Sequence, residues 1–134
     1  MPLLDLDDGT RISEASVIQQ YVAGLKSGAI APAFGTLPRW TLMEWLAFIS
    51  TEVRERTVQA LGNRFTFIAK TLESQPYLTG QEFSIADAYL FVVSNWSALH
   101  KVDLSPWPAL TAFQARVAAR PAVQATLRAE GFIE

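Results

Sequence analysis

Ser84 and Asp87, three positions apart in FSIADAYLF (Phe83 to Phe91), are the polar side chains whose spacing assigns them a definite task. A serine at the last non-helical position and an acid three residues on can close a reciprocal capping box over backbone N–H groups at a helix start. Phe83 is then placed to staple against Ala88. This is hydrogen-bonding chemistry in the service of a fold. Other reactive types are scarce: there is no cysteine, hence no thiolate nucleophile, disulfide or cysteine metal site. His100 is the single histidine, near a helix end, where it reads as a cap rather than a catalytic base, and a metal site would need more ligands. Arg54 lies in the run EVRER, where it can attract an anion or simply carry a solvated helix charge. Trp40, Trp45, Trp96 and Trp107 could stack on a ligand, but aromatic residues at helical spacing usually form core.

The elements that must hold these residues are mainly helical. Pro2 to Leu6 and Thr10 to Ile12 flank Asp7-Asp8-Gly9 and read as a tight hairpin. Ser13 is expected to cap a helix from Glu14 to Leu25, with Val17, Ile18, Tyr21, Val22 and Leu25 as its apolar face. Residues 27–37 hold Gly28, Pro32 and Gly35 with few charges and read as a linker. From Pro38 to Glu73 the pattern stays helical, with Leu42, Trp45, Leu46, Ile49 and Val53 on one face and Val58, Leu61, Phe65, Ile68 and Leu72 on another. Residues 52–56, EVRER, contain no Gly, Pro or Asn, so one fused helix is expected there in preference to a tight reversal at 54–57. Ile85, Tyr89, Val92 and Trp96 continue the apolar face of the capped helix. Ser105-Pro106-Trp107-Pro108 opens another helix, Pro121 ends it and opens the last, and Gly131 stops that one.

Composition narrows the partners. The 134 residues are 50% hydrophobic and 18% charged, enough for one substantial core. Net charge is −2, and Lys and Arg are scattered, which argues against nucleic acid and acidic membranes. Apolar stretches are interrupted well short of the roughly 20 residues a membrane span needs, and nothing resembles a signal peptide. A cytoplasmic location is expected.

The stretches TLMEWLAFISTEV (Thr41 to Val53), PYLTGQEFSIADAYLF (Pro76 to Phe91) and DLSPWPALTAFQARVAARPAVQATLRAEG (Asp103 to Gly131) together resemble the helical C-terminal domain of glutathione S-transferases, most closely the bacterial beta class. MPLLDLDDGTRISEASVIQQYVAGL (Met1 to Leu25) is similar to the last third of that family's thioredoxin-like domain. The resemblance implies a mainly α fold: a hairpin-plus-helix remnant at 1–26, a linker at 27–37 and a helical bundle at 38–134. It also implies that much of the loop between the first two bundle helices is missing.

What the family does implies the site. Intact relatives conjugate glutathione, a co-substrate rather than a cofactor, to hydrophobic electrophiles, a detoxifying chemistry. Carried over by position, Glu14 would hold the ligand's α-amine, and the Ala15 N–H its α-carboxylate at a helix start. Pro2 matches the family's cis-proline, whose preceding residue, here Met1, pairs with the cysteinyl part of glutathione. Trp40, Phe48, Arg54 and Tyr89 would border the groove for the electrophile. The group that activates sulfur belongs to a family segment missing here, and Ala47, Arg54 and Glu55 replace the Asn and His-Lys pair of beta-class relatives. No catalytic residue and no metal site are assigned, and activity of the isolated chain is in doubt. A homodimer is expected, and the rival reading is a non-catalytic helical dimerisation or interaction module.

Overall fold

The computed structural model describes residues 2–26, 28–53, 58–99 and 102–134, with side chains left undescribed at 53, 58–61, 98 and 99. A hairpin of β1 (Leu3–Asp5) and β2 (Arg11–Ser13) leads into six helices: α1 (Ala15–Gly24), α2 (Leu37–Phe48), α3 (Val58–Ser74), α4 (Ile85–Leu99), α5 (Pro108–Ala118) and α6 (Pro121–Ala129). The mainly α architecture expected from the sequence is the one observed. The strands pair antiparallel, Leu4 opposite Ile12. Their turn forms as read: Gly9 takes φ 83°, and the Thr10 N–H donates to Asp8 Oδ1 at 2.9 Å.

The hydrophobic core sits around α4. Leu42, Leu46 and Ile49 meet Phe65 and Ile68, with Leu90 from α4 and Leu110, Phe113 and Val117 from α5, all at 0–2% exposure. α4 packs on α5, α2 and α1, while α3 packs on α5. Every described member of the expected faces of α2 and α3 is buried. The face of α4 is different from the one expected. Ile85 and Tyr89 are buried, but Val92 is 49% and Trp96 39% exposed, and the buried row runs through Ala86, Leu90, Val93, Ser94 and Ser97. Two parallel rows of i,i+4 spacing, 85-89-93-97 and 86-90-94, make a wide arc that leaves Val92 and Trp96 on its solvent side.

A second correction concerns 38–73. α2 passes at Ile49–Val53 into a π-helical turn, where the Ser50 and Thr51 hydroxyls both donate to the Ala47 carbonyl, at 2.9 and 3.0 Å. The chain then comes back on itself. The Phe48 and Phe67 rings lie 5.2 Å apart, and Glu52 forms an ion pair with Arg64. A straight fused helix, rising about 1.5 Å per residue, would hold those rings roughly 28 Å apart. The helices are therefore an antiparallel pair rather than one rod. Residues 54–57, named above as the alternative place for a reversal, lie outside the described residues; ring and core burial across the pair holds the two helices side by side.

The C-terminal half follows its prolines. Pro108 and Pro121 occupy first-turn positions of α5 and α6, and Gly131 closes α6 with φ 74°. The Trp107 ring meets Phe65 at 5.4 Å and its Nε1–H donates to Thr66 Oγ1 at 2.8 Å, tying the start of α5 to α3.

Candidate functional site

The start of α1 departs from the local pattern in a telling way. β2 ends at Ser13, and Glu14 rather than Ser13 takes the cap position, with φ 71° and ψ 123°. It is the one non-glycine residue with positive φ among the described residues. Such a backbone costs on the order of 1–3 kcal/mol and persists only where its surroundings enforce it. Two forces are visible: β2 is pinned to β1, and the Glu14 carbonyl accepts from the Val17 and Ile18 N–H groups at 3.0 and 2.9 Å. No side chain caps the helix, and the Ala15 and Ser16 N–H groups stand ahead of its first hydrogen-bonded donors, Val17 and Ile18. An exposed carboxylate thus stands beside donors at the positive end of a helix dipole, the pairing that suits a ligand carrying both an ammonium and a carboxylate. Ala15 opens the helix beside it, half-buried. Pro2 is exposed; Met1, and with it the expected cis bond to Pro2, lies outside the described residues.

Three of the residues expected to border an electrophile groove, Trp40, Phe48 and Tyr89, fall among the described residues and differ in exposure. Phe48 lines a groove of about 390 Å³ with Glu44 and Trp45 of α2 and Asn63, Arg64 and Phe67 of α3. Trp40, two turns earlier, is 59% exposed, whereas Tyr89 is buried at 6% within α4. Arg54 and His100 lie outside the described residues. α1 also turns its expected apolar face outward: Val17, Tyr21, Val22 and Leu25 are 36–71% exposed, while small Ala23 faces inward. α1 packs on α4, and Ile18 of the expected face stays partly buried.

Asp87 is the buried polar centre of the bundle, fully enclosed. Its Oδ2 accepts from the Ser84 N–H and the Ser84 hydroxyl, both at 2.8 Å, and its Oδ1 accepts from the Leu78 N–H at 2.8 Å. Only the acid's half of the expected box is made. The Ser84 hydroxyl turns to the carboxylate, and the Asp87 N–H donates instead to the Ser84 carbonyl at 3.1 Å. Burial pushes the Asp87 carboxyl up, against the pull of the Leu78 and Ser84 donors. Phe83 meets Tyr77 edge-on at 5.7 Å and is covered by the Arg120 guanidinium at 3.9 Å.

Arg39 gives no sign of its role in sequence. It is 2% exposed on α2, with Nη2 donating to Gln20 Oε1 of α1 at 3.1 Å and the Phe34 ring 3.8 Å over the guanidinium. Burial lowers its pKa, and its Nε–H has no hydrogen-bond partner. The residue ties α1 to the bundle. Its partners sit 19 positions upstream and in the preceding turn, so no spacing rule links them.

Residues 33–121 match the glutathione S-transferase C-terminal domain family. Glutathione S-transferase GstA of Escherichia coli O157:H7 is 34% identical over 148 aligned positions, covering 98% of this chain and 74% of the relative. That alignment is longer than the 134-residue chain, so the relative carries internal residues with no counterpart here. Among solved structures, the bacterial glutathione S-transferase BphK in a ternary complex superposes with TM-score 0.92 at 45% identity, covering 98% of this chain and 74% of that one. The beta-class enzyme of Sphingomonas chungbukensis gives TM-score 0.90 at 35% identity, with 99% and 75% covered. The chain belongs to the glutathione S-transferase family.

Proposed function

We propose that the chain binds glutathione at the start of α1 and serves conjugation of its thiol to electrophilic carbon, the chemistry of its family. The strained Glu14 backbone carries this reading, because nothing in the local sequence requires a glutamate to adopt φ 71°. Glu14 receives the ligand's ammonium, and the Ala15 N–H its α-carboxylate. Met1 and Pro2 are assigned to the cysteinyl part, and Trp40, Phe48, Arg54 and Tyr89 to the hydrophobic co-substrate. Residues 1–26 act as the thioredoxin-like remnant and 38–134 as the helical domain, joined by 27–37 and assembled as a homodimer in the cytoplasm. No described helix is long and apolar enough to cross a membrane.

Binding and chemistry separate in one experiment. Isothermal titration with glutathione should show uptake that Glu14→Ala weakens. A conjugation assay with an aryl halide on these 134 residues should show little turnover, because they contain no cysteine to direct at sulfur and the family's activating segment is not among them. Glutathione binding that Glu14→Ala leaves unchanged would overturn the site assignment. Absence of binding would favour the rival, a helical interaction module. Turnover of about 1–1,000 per second would show sulfur activation by a group not identified above.

A further inference from the structure

The carboxylate and the N–H donors at the start of α1 can act on one ligand only if the helix is held at a fixed rotation against the bundle. Apolar burial does little to fix it. Val17, Tyr21, Val22 and Leu25 are exposed, and Ala23 is the residue of α1 that is fully buried. Burial of a methyl group is non-directional, so it resists separation of the two surfaces better than it resists turning of one upon the other. A hydrogen bond from a planar guanidinium is directional.

Arg39 of α2 supplies such a bond. Its guanidinium is first fixed by the segment that joins the two helices: the Phe34 ring lies 3.8 Å from it, and Nη1–H donates to the Pro32 carbonyl at 3.4 Å. Nη2–H then donates across to Gln20 Oε1 of α1 at 3.1 Å. Arg39 is 2% exposed, so water competes little for that bond. Gln20 stands six positions beyond Glu14, about 9 Å along the helix axis. A helix of 10 residues turns as one body, so any rotation at Gln20 is carried to Glu14. A slip by a single position would swing the Glu14 carboxylate by about 100°.

We propose, on the glutathione reading above, that Arg39 is a positioning residue for that ligand, acting through Gln20 to set the direction in which Glu14 and the Ala15 N–H face it. Titration calorimetry of the full chain with glutathione tests this through a double-mutant cycle. Arg39→Met and Gln20→Met should each weaken binding about tenfold or more, and the double variant no further than the weaker of the two, because both remove the same contact. Gln20→Glu, which keeps the acceptor, should retain the parent affinity. Gln20 is half-buried, so its variants decide the matter even where Arg39→Met fails to fold. A merely structural arginine would lower the urea midpoint and leave the affinity of the folded protein unchanged. That result, losses that add in the double variant, or equal losses in Gln20→Glu and Gln20→Met would each overturn the proposal. Uptake that Glu14→Ala weakens while the Arg39 and Gln20 variants match the parent overturns the positioning role alone; a parent that takes up no glutathione overturns the site reading with it.

Discussion

At the scale of single residues, two side chains separate structural from functional constraint. Asp87 accepts three hydrogen bonds inside the bundle, so Asp87→Ala leaves three donors without partners and should destabilise by roughly 1–3 kcal/mol in urea denaturation. Its pH dependence has a definite sign. The folded carboxyl lies above its ordinary value of 3.8, so between that value and the raised pKa the folded state binds more proton than the unfolded. Asp87's contribution to stability therefore falls as pH rises through that window and is regained on acidification. Relative to Asp87→Asn, the parent should gain stability as pH is lowered toward 3.8; an opposite slope would refute burial as the dominant cause. Asp8 and Asp103, held low by the Thr10 and Ser105 donors, run the other way, and their contributions fade as pH drops below 3.8. Glu14 makes the contrasting case. Glycine adopts positive φ without steric cost, so Glu14→Gly should raise the denaturation midpoint while weakening glutathione binding. A fall in both would mark the residue as structural.

Elements show where sequence propensity and packing disagree. Gly62 lies inside α3 without positive φ, and a Cβ there would sit 3.7 Å from the Trp107 ring, an ordinary contact. Gly62→Ala should stabilise the protein by about 0.5–1 kcal/mol, measured by thermal or urea unfolding, because the helix gains propensity without a clash. A lone glycine can mark a turn, but Gly62 is helical. The run EVRER favours continuation by local preference alone. Pairing of Trp45 and Phe48 with Phe67 overrides that preference, and such a contact is invisible to any local window.

At the scale of the whole molecule, apolar surface is left uncovered around the two-stranded sheet. Leu3 is 52% exposed, and Val17, Tyr21, Val22 and Leu25 form an outward stripe on α1. Short paired strands with an apolar neighbour invite further pairing. Light scattering across a concentration series should show self-association, reduced by Val22→Lys on that stripe. A monomer at every concentration would refute it.

The sequence by itself determined the helices with strong punctuation. Pro108, Pro121 and Gly131 bound α5 and α6 because ring closure and positive φ act within one or two residues. Asp87 was legible for the same reason, its Ser84 partner being three positions away, although the Leu78 N–H was not, since it reaches Asp87 from the preceding loop. The family followed from long stretches of matching text rather than from any single site. Only the tertiary structure decided the folding back of α3 on α2, the solvent side of α4, the burial of Arg39 against Gln20 and the strained backbone of Glu14. Each depends on which surfaces meet when distant segments pack, and that balance of burial and hydrogen bonding is set by the assembled chain, not by the identity of neighbours in sequence.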